Sequence, residues 1–351
     1  MKHRVVTLIR IVINYLFAVG LVAHANADSG LRMHGAGSTF VYPLFSKWFS
    51  VYQKERDQTL INYQSIGSGG GIRQLIDGTV DFGATDIPMN EEQLKKASRE
   101  VYHFPVTMGA VVVTYSVAEL TSELRLTPQV IADIFLGKIV KWNAPEIVAL
   151  NPGLALPARY ITVVHRSDGS GTTAVFAEFL SKTNPEWKEK VGTGTALQWP
   201  TGLGGKGNEG VTGLIKSLKD TIGYVELTFA LSQKLPVALV KNPEGEWIKP
   251  SLESVLVAAA NMLRTIPDDF RFTITAAQGS GSYPISGMSF YLLDSRLKRE
   301  KLEKWNESLK LLRWMLGAGQ EYSQALHYAR IPKPLSEKML RRLTDLEKVR
   351  K

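Results

Sequence analysis

The sequence of 351 residues contains no cysteine. That excludes a disulfide scaffold and a lipid-modified amino-terminal cysteine. Histidine is scarce: His3, His24, His34, His103, His165 and His327 form neither a His-x-x-x-His pair nor a zinc-like cluster, so no metal site is expected. No Gly-x-Ser-x-Gly elbow is present, and without these usual parts of a catalytic centre the chain is not expected to be an enzyme. A long hydrophobic run is missing too. The stretch Ile11 to Val22, broken only by Asn14, falls short of the roughly 20 residues a membrane span needs. There is no strict internal repeat, coiled coil or low-complexity segment. Gly202-x-Gly204-x-x-Gly207 matches a dinucleotide fingerprint by letter, but Pro200 stands where a strand should end, and Gly205-Lys206 is followed by Gly207 rather than Ser or Thr. Both nucleotide motifs therefore read as a loop, and no cofactor is expected.

The amino terminus reads as a secretory leader. Lys2, His3 and Arg4 precede a mostly apolar run, and Ala25-Asn26-Ala27 supplies the small residues of a cleavage site, with the cut expected after Ala27. Residues 1–27 are thus expected to be a signal peptide, and a periplasmic location suits an exported chain without cysteine. The remainder, 44% hydrophobic and 21% charged over the whole chain, is long enough for about two domains. The net charge of +9 suggests nucleic acid at first sight, but its distribution argues otherwise. From Arg296 to Lys351 there are 15 Lys or Arg against 7 Asp or Glu, so the basic excess belongs to the tail. There Leu302, Trp305, Leu309 and Leu312 recur at helical spacing among the charges, as on a helix with a solvated face.

Short apolar segments at Thr59 to Tyr63, Ala110 to Tyr115 and Tyr160 to His165 read as strands. Tyr42 to Lys54, Gly71 to Ile76 and Thr172 to Ser181 read as helices, and the alternation predicts α/β layers with parallel pairing. Asn151 to Ala158 and the Gly/Thr-rich Gly192 to Gly213 read as loops. A Gly/Ser knot at Gly279 to Ser282 suits either a crossing between domains or an ordinary loop.

Three places share one design, a Gly/Ser/Thr turn running into a helix: Gly37-Ser38-Thr39-Phe40, Gly67-Ser68-Gly69-Gly70-Gly71 and Gly169-Ser170-Gly171-Thr172. Backbone N–H groups at a helix start lack partners and carry the positive end of the dipole, so each turn is a ready anion site. Each alone is more often just a helix cap, and it is the three together that point to an anion. Arg166, just ahead of the third turn, offers a planar fork for two oxygens of an oxyanion, with Asp168 placed either to steady it or to face solvent.

These residues carry a resemblance. Gly35 to Phe40, Ile66 to Gly71, Val80 to Asp86 and Arg166 to Thr173 resemble, in order and spacing, the periplasmic phosphate-binding proteins of phosphate ABC transporters. The likeness continues through Phe135 to Ile139 with Lys141-Trp142, Val191 to Gly194, Gly202 to Asn208 and Ile222 to Glu226. It implies an α/β fold of two domains with a hinge and a ligand cleft between them, the type II periplasmic-binding-protein or Venus-flytrap fold. The domains would be 28–116 plus 285–351, and 117–284. It further implies that a monomeric protein captures inorganic phosphate and delivers it to an inner-membrane ABC permease. The ligand donors would be the backbone N–H of Thr39 and Phe40, Ser68, Arg166, Ser170, the N–H of Gly171, and Thr172, with Asp86 as acceptor and Asp168 in support. Ser38 and Thr85 are not expected to reach the ligand.

Asp86 would then separate phosphate from sulfate. A carboxylate repels an oxyanion unless the anion brings a proton to donate; phosphate at neutral pH carries one or two and sulfate none. An unsatisfied buried acceptor costs about 1–3 kcal/mol, and more when charged. A site for sulfate, molybdate or tungstate is the alternative in the same class. Asp86 to Glu92 also reads as a capped helix start, so the residues alone leave Asp86 with either role.

Overall fold

The computed structural model describes residues 30–56, 59–120, 122–262 and 266–348; the expected leader and its cleavage site lie outside them. The first half of the fold begins with β1 (Leu31–Gly37), β2 (Thr59–Ser65) and β3 (Phe82–Thr85), parallel in the order β2-β1-β3. The helix Tyr42–Glu55 joins the first two. It has Pro43 in its first turn, where a missing N–H costs nothing, and places Leu44, Phe45, Trp48, Phe49 and Tyr52 on one buried stripe. Each such side chain contributes about 1.5–3 kcal/mol on burial. Trp48 donates its indole N–H to the Gly319 carbonyl at 2.6 Å, fastening the helix to the carboxy-terminal segment.

The strand β4 (Val101–Ser116) links the halves. Its residues through Ala110 pair antiparallel with β11 (Ser286–Asp294), and from Val111 onward they pair with β8 (Thr221–Glu226). β8 lies parallel to β6 (Thr162–Arg166), and β6 to β7 (Leu203–Gly205), completing an eight-stranded sheet. A three-stranded sheet of β5 (Arg125–Leu126), β9 (Leu239–Lys241) and β10 (Trp247–Ile248) flanks the second half. Ile285 accepts Val111 N–H at 2.9 Å, so the chain crosses between the halves twice at one level. Pro105 lacks a ladder donor, and the register shifts where it meets Phe290. The neighbouring Val106 carbonyl is satisfied by Gln320 Nε2 at 2.9 Å.

The segments expected as strands and helices take those forms, most with longer bounds, while the strand expected at Tyr160 to His165 is Thr162–Arg166. β4 extends nine residues ahead of the expected Ala110 because it spans both halves. The loop expected at Gly192 to Gly213 is a correction: Leu203–Gly205 pairs with β6, and a helix occupies Gly207–Ser217. Glycine there permits close packing rather than irregular chain, since a side chain on Gly205 would collide with the backbone of Val211. The tail helix Leu302–Leu316 buries Trp305, Leu309 and Leu312 as their spacing predicts, whereas Leu302, at its first position, is exposed. Among the described residues no helix is long and apolar enough to cross a membrane.

Candidate functional site

The three turns lie at the carboxyl ends of parallel strands, where open α/β sheets gather their ligands. β1 runs into Gly37 to Phe40, β2 into the helix Ser68–Ile76, and β6 ends on Arg166 ahead of the helix Gly171–Thr183. The last two meet across the cleft, Gly69 N–H donating to the Gly169 carbonyl at 2.8 Å. Thr39, Phe40, Ser68, Asp86, Arg166, Ser170, Gly171 and Thr172 are all buried, and Asp168 is partly so. Gly171 must be glycine by close approach: a side chain there would collide with Ser68 Oγ and Asp86 Oδ2.

Asp86 follows β3 and is held by three hydroxyls. Ser38 Oγ and Ser289 Oγ donate to Oδ1 at 2.6 and 2.7 Å, and Ser68 Oγ donates to Oδ2 at 3.3 Å. Oδ1 is thus engaged twice, and Oδ2, toward Gly171, carries one long contact. Burial pushes the carboxyl up to about 6, although the Ser38 and Ser289 hydrogen bonds, the Arg166 charge and the Ser68 contact all pull it down. Arg166 donates Nε to Asp168 Oδ1 at 2.8 Å and Nη2 to Oδ2 at 2.5 Å, a fork that fixes the guanidinium plane. Its Nη1 reaches Thr172 Oγ1 at 3.3 Å. Burial opposes the charge on Asp168, but the Arg166 hydrogen bonds and charge, with Gly207 N–H at 2.9 Å, outweigh it and hold the carboxyl below its ordinary value.

Two sequence-predicted groups act differently from their simplest reading. Ser170 Oγ accepts Thr173 N–H at 3.0 Å as a helix cap. Ser38, not expected to reach the ligand through its side chain, donates its hydroxyl to Asp86. Sequence reasoning missed Ser289, which lies in β11 some two hundred residues from Asp86 in the chain. It also assigned no role to Asn208, whose Nδ2 lies 2.8 Å from Thr39 Oγ1 and 3.2 Å from Thr172 Oγ1. The signal for Asn208 in the sequence was its place at the end of the Gly202 to Asn208 stretch that carries part of the resemblance. Tyr224 receives Arg166 N–H at 3.3 Å and pairs with Thr173 Oγ1 at 2.6 Å, behind the guanidinium. No cluster of three or more metal-ligating side chains occurs among the described residues.

Residues 23–309 match the family model of the PBP superfamily domain. A protein named phosphate-binding protein PstS from Xylella fastidiosa is 44% identical over 88% of this chain and 84% of its own length. Its namesake from Haemophilus influenzae is 41% identical over 91% and 93%. The chain belongs to this phosphate-binding protein family. Solved structures of the family agree in fold. A phosphate-binding protein from Stenotrophomonas maltophilia, 16% identical, superposes with a TM-score of 0.67 over 89% of this chain and 94% of that one. A phosphate ABC transporter substrate-binding protein with bound phosphate from Clostridium perfringens, 18% identical, gives 0.63 over 86% and 100%. The architecture is the two-domain α/β fold of this family.

Proposed function

We propose that this protein is a periplasmic receptor that binds inorganic phosphate between its two halves and delivers it to an inner-membrane phosphate ABC permease. The ligand set is Thr39, Phe40, Ser68, Arg166, Ser170, Gly171 and Thr172 as donors, Asp86 as acceptor, and Asp168 as the support of Arg166. One observation carries the reading: Asp86 is a buried carboxylate whose less-engaged oxygen faces a ring of donors, an arrangement suited to an anion that retains a proton. Sulfate, molybdate and tungstate bring no proton at neutral pH and would leave that oxygen facing like charge.

The working unit is a monomer of two domains, 28–116 with 285–351 and 117–284, exported by a leader cut after Ala27. Val111–Ser116, at the end of the first domain's span, pairs with β8 of the second half, so the hinge we propose lies ahead of the 116 boundary, at the crossings near Ala110 and Ile285. Ligand touching both domains favours the closed state, which is the form a permease would recognise. Catalysis has no support in the residues of the cleft. Isothermal titration of the extensively dialysed protein should give one tight phosphate site and no sulfate response at pH 8. Equal affinity for both anions would return the site to the wider oxyanion class, and no response to phosphate would remove the reading.

A further inference from the structure

Asn208 is fully buried where the helix Gly207–Ser217 opens in the second half of the fold. Its Oδ1 accepts the backbone N–H of Glu226 at 3.0 Å. A flipped amide would set its NH₂ against that N–H, so the Nδ2 end is fixed as the one turned toward the cleft. Nδ2 donates to Thr39 Oγ1 at 2.8 Å and to Thr172 Oγ1 at 3.2 Å, two hydroxyls from opposite halves. Thr39 Oγ1 also accepts Asn208 N–H at 3.4 Å, and Thr172 Oγ1 also accepts Arg166 Nη1 at 3.3 Å. A hydroxyl has two acceptor sites and a single hydrogen. On both threonines the acceptor sites are taken by N–H groups, so each hydroxyl has only its hydrogen left to offer.

We propose that Asn208 is a positioning residue that sets the polarity of the anion cradle: by donating to Thr39 and Thr172 together, it makes both hydroxyls donors toward the ligand and joins the halves across the cleft. This rests on the phosphate reading of the same site. Asp86 is then the one side-chain acceptor in a cradle otherwise turned to donate, which sharpens selection for an oxyanion that carries a proton.

Asn208→Asp reverses the polarity at nearly constant shape. A carboxylate keeps the Glu226 N–H bond, accepts from both threonines and turns their hydrogens away from the ligand. Phosphate titration of this variant at pH 8 is expected to show about a 100-fold weaker site, given that a hydrogen bond to a charged group is worth a factor of about 10 to 100. The deficit relative to wild type should shrink toward pH 5, as the new carboxyl gains a proton it can donate. Asp86, Asp168, Glu226, Arg166, Tyr224 and Tyr328 surround the position in both proteins, so the ratio of affinities at each pH is the readout. A second arm does not depend on that variant folding. Asn208→Ala should weaken phosphate about 10-fold in the wild-type background and less than about 3-fold in a Thr39→Val background, because the two act as one unit. Wild-type affinity in Asn208→Asp, a deficit independent of pH, or additive losses in the Asn208 and Thr39 cycle would each overturn the proposal. Failure of the wild-type protein to bind phosphate would instead overturn the reading on which it rests.

Discussion

The helix Ser68–Ile76 has an arginine associated with each end, and the two arginines are treated differently. At the carboxyl end, Arg99 donates to the carbonyls of Leu75 and Ile76 at 2.8 and 3.0 Å and to Ala97 at 2.6 Å. Its Nε meets both oxygens of the fully buried Asp294 at 2.8 and 2.9 Å. Cation, helix carbonyls and carboxylate close on one another, as a helix dipole favours. At the amino end, Arg166 faces the cleft from the other half of the fold. It is anchored by Asp168 on one side and touches Thr172 on the other, and its hydrogen bonds go to side chains rather than to backbone carbonyls. In each Arg–Asp pair one partner is buried and the other partly so, so burial and pairing do not tell structure from function. The difference is saturation: Arg99 is consumed by the fold, whereas Arg166 is held in place with donor capacity directed at a cleft lined by Ser68, Asp86 and Gly171.

Removing each guanidinium in turn is the strongest test of that contrast. Arg166→Ala should weaken phosphate by about 100-fold or more, because charge-assisted bonds to a desolvated anion are lost. Its effect on the melting temperature should be small, since Asp168 is partly exposed and keeps Gly207 N–H. Arg99→Ala leaves the buried Asp294 with only the Arg296 backbone N–H at 2.8 Å and the Arg296 guanidinium at 3.6 Å, a loss of about 3 kcal/mol. The folded fraction of that variant should bind phosphate as wild type does. Paired thermal melts and titrations decide it: a melting loss shared equally by both variants would dissolve the distinction.

Asp86 sharpens the contrast through pH. Its ordinary value of 3.8 rises to about 6 on burial. A folded state with the higher value binds more protons, so the stability it contributes is complete below about pH 4 and is lost as pH climbs through 6. Without ligand, wild type should therefore lose on the order of 2–3 kcal/mol across that window relative to Asp86→Asn, which carries no such group. Below pH 6 the protonated carboxyl can itself donate, so sulfate should begin to bind wild type there, and should bind Asp86→Asn with little dependence on pH. Urea unfolding and sulfate titration at pH 4, 6 and 8 check both, and parallel curves for the two proteins would refute the assignment.

The turns that make the cleft were legible because their chemistry is local. Glycine, hydroxyl and helix start stand side by side at Gly67-Ser68 and Gly169 to Thr172, and alternation of apolar runs gave the α/β layers around them. What escaped was whatever only tertiary packing assembles. Ser289 lies in a uniformly buried strand whose pattern says core, and it meets Asp86 only because β11 inserts between β3 and β4. Asn208 sat in a segment read as loop, since Gly202 to Gly207 signals irregular chain, while the structure uses those glycines to pack a strand against a helix start. The strand β4 was recognised only over its second part because Pro105 and Gly109 interrupt the pattern that β11 nevertheless pairs.

Ser289 supplies the finest test, because it bears on the ligand only through Asp86. With Ser38 it donates to Oδ1, and the pair directs the other oxygen toward the cleft. Ser289→Ala removes one of two donors on the same atom, in a site where Ser38 still holds the carboxylate. The expected loss in phosphate affinity is about 3- to 10-fold, the scale of one hydrogen bond. The direction of the companion effect is the more telling part. Losing a donor to the charged form should raise the Asp86 carboxyl further, so the onset of sulfate binding should move to higher pH than in wild type. A purely structural serine would lower the melting temperature and leave that onset where it was. An unchanged onset with an intact fold would mean that Ser38 alone sets the acceptor, and that β11 contributes packing but no selectivity to the site.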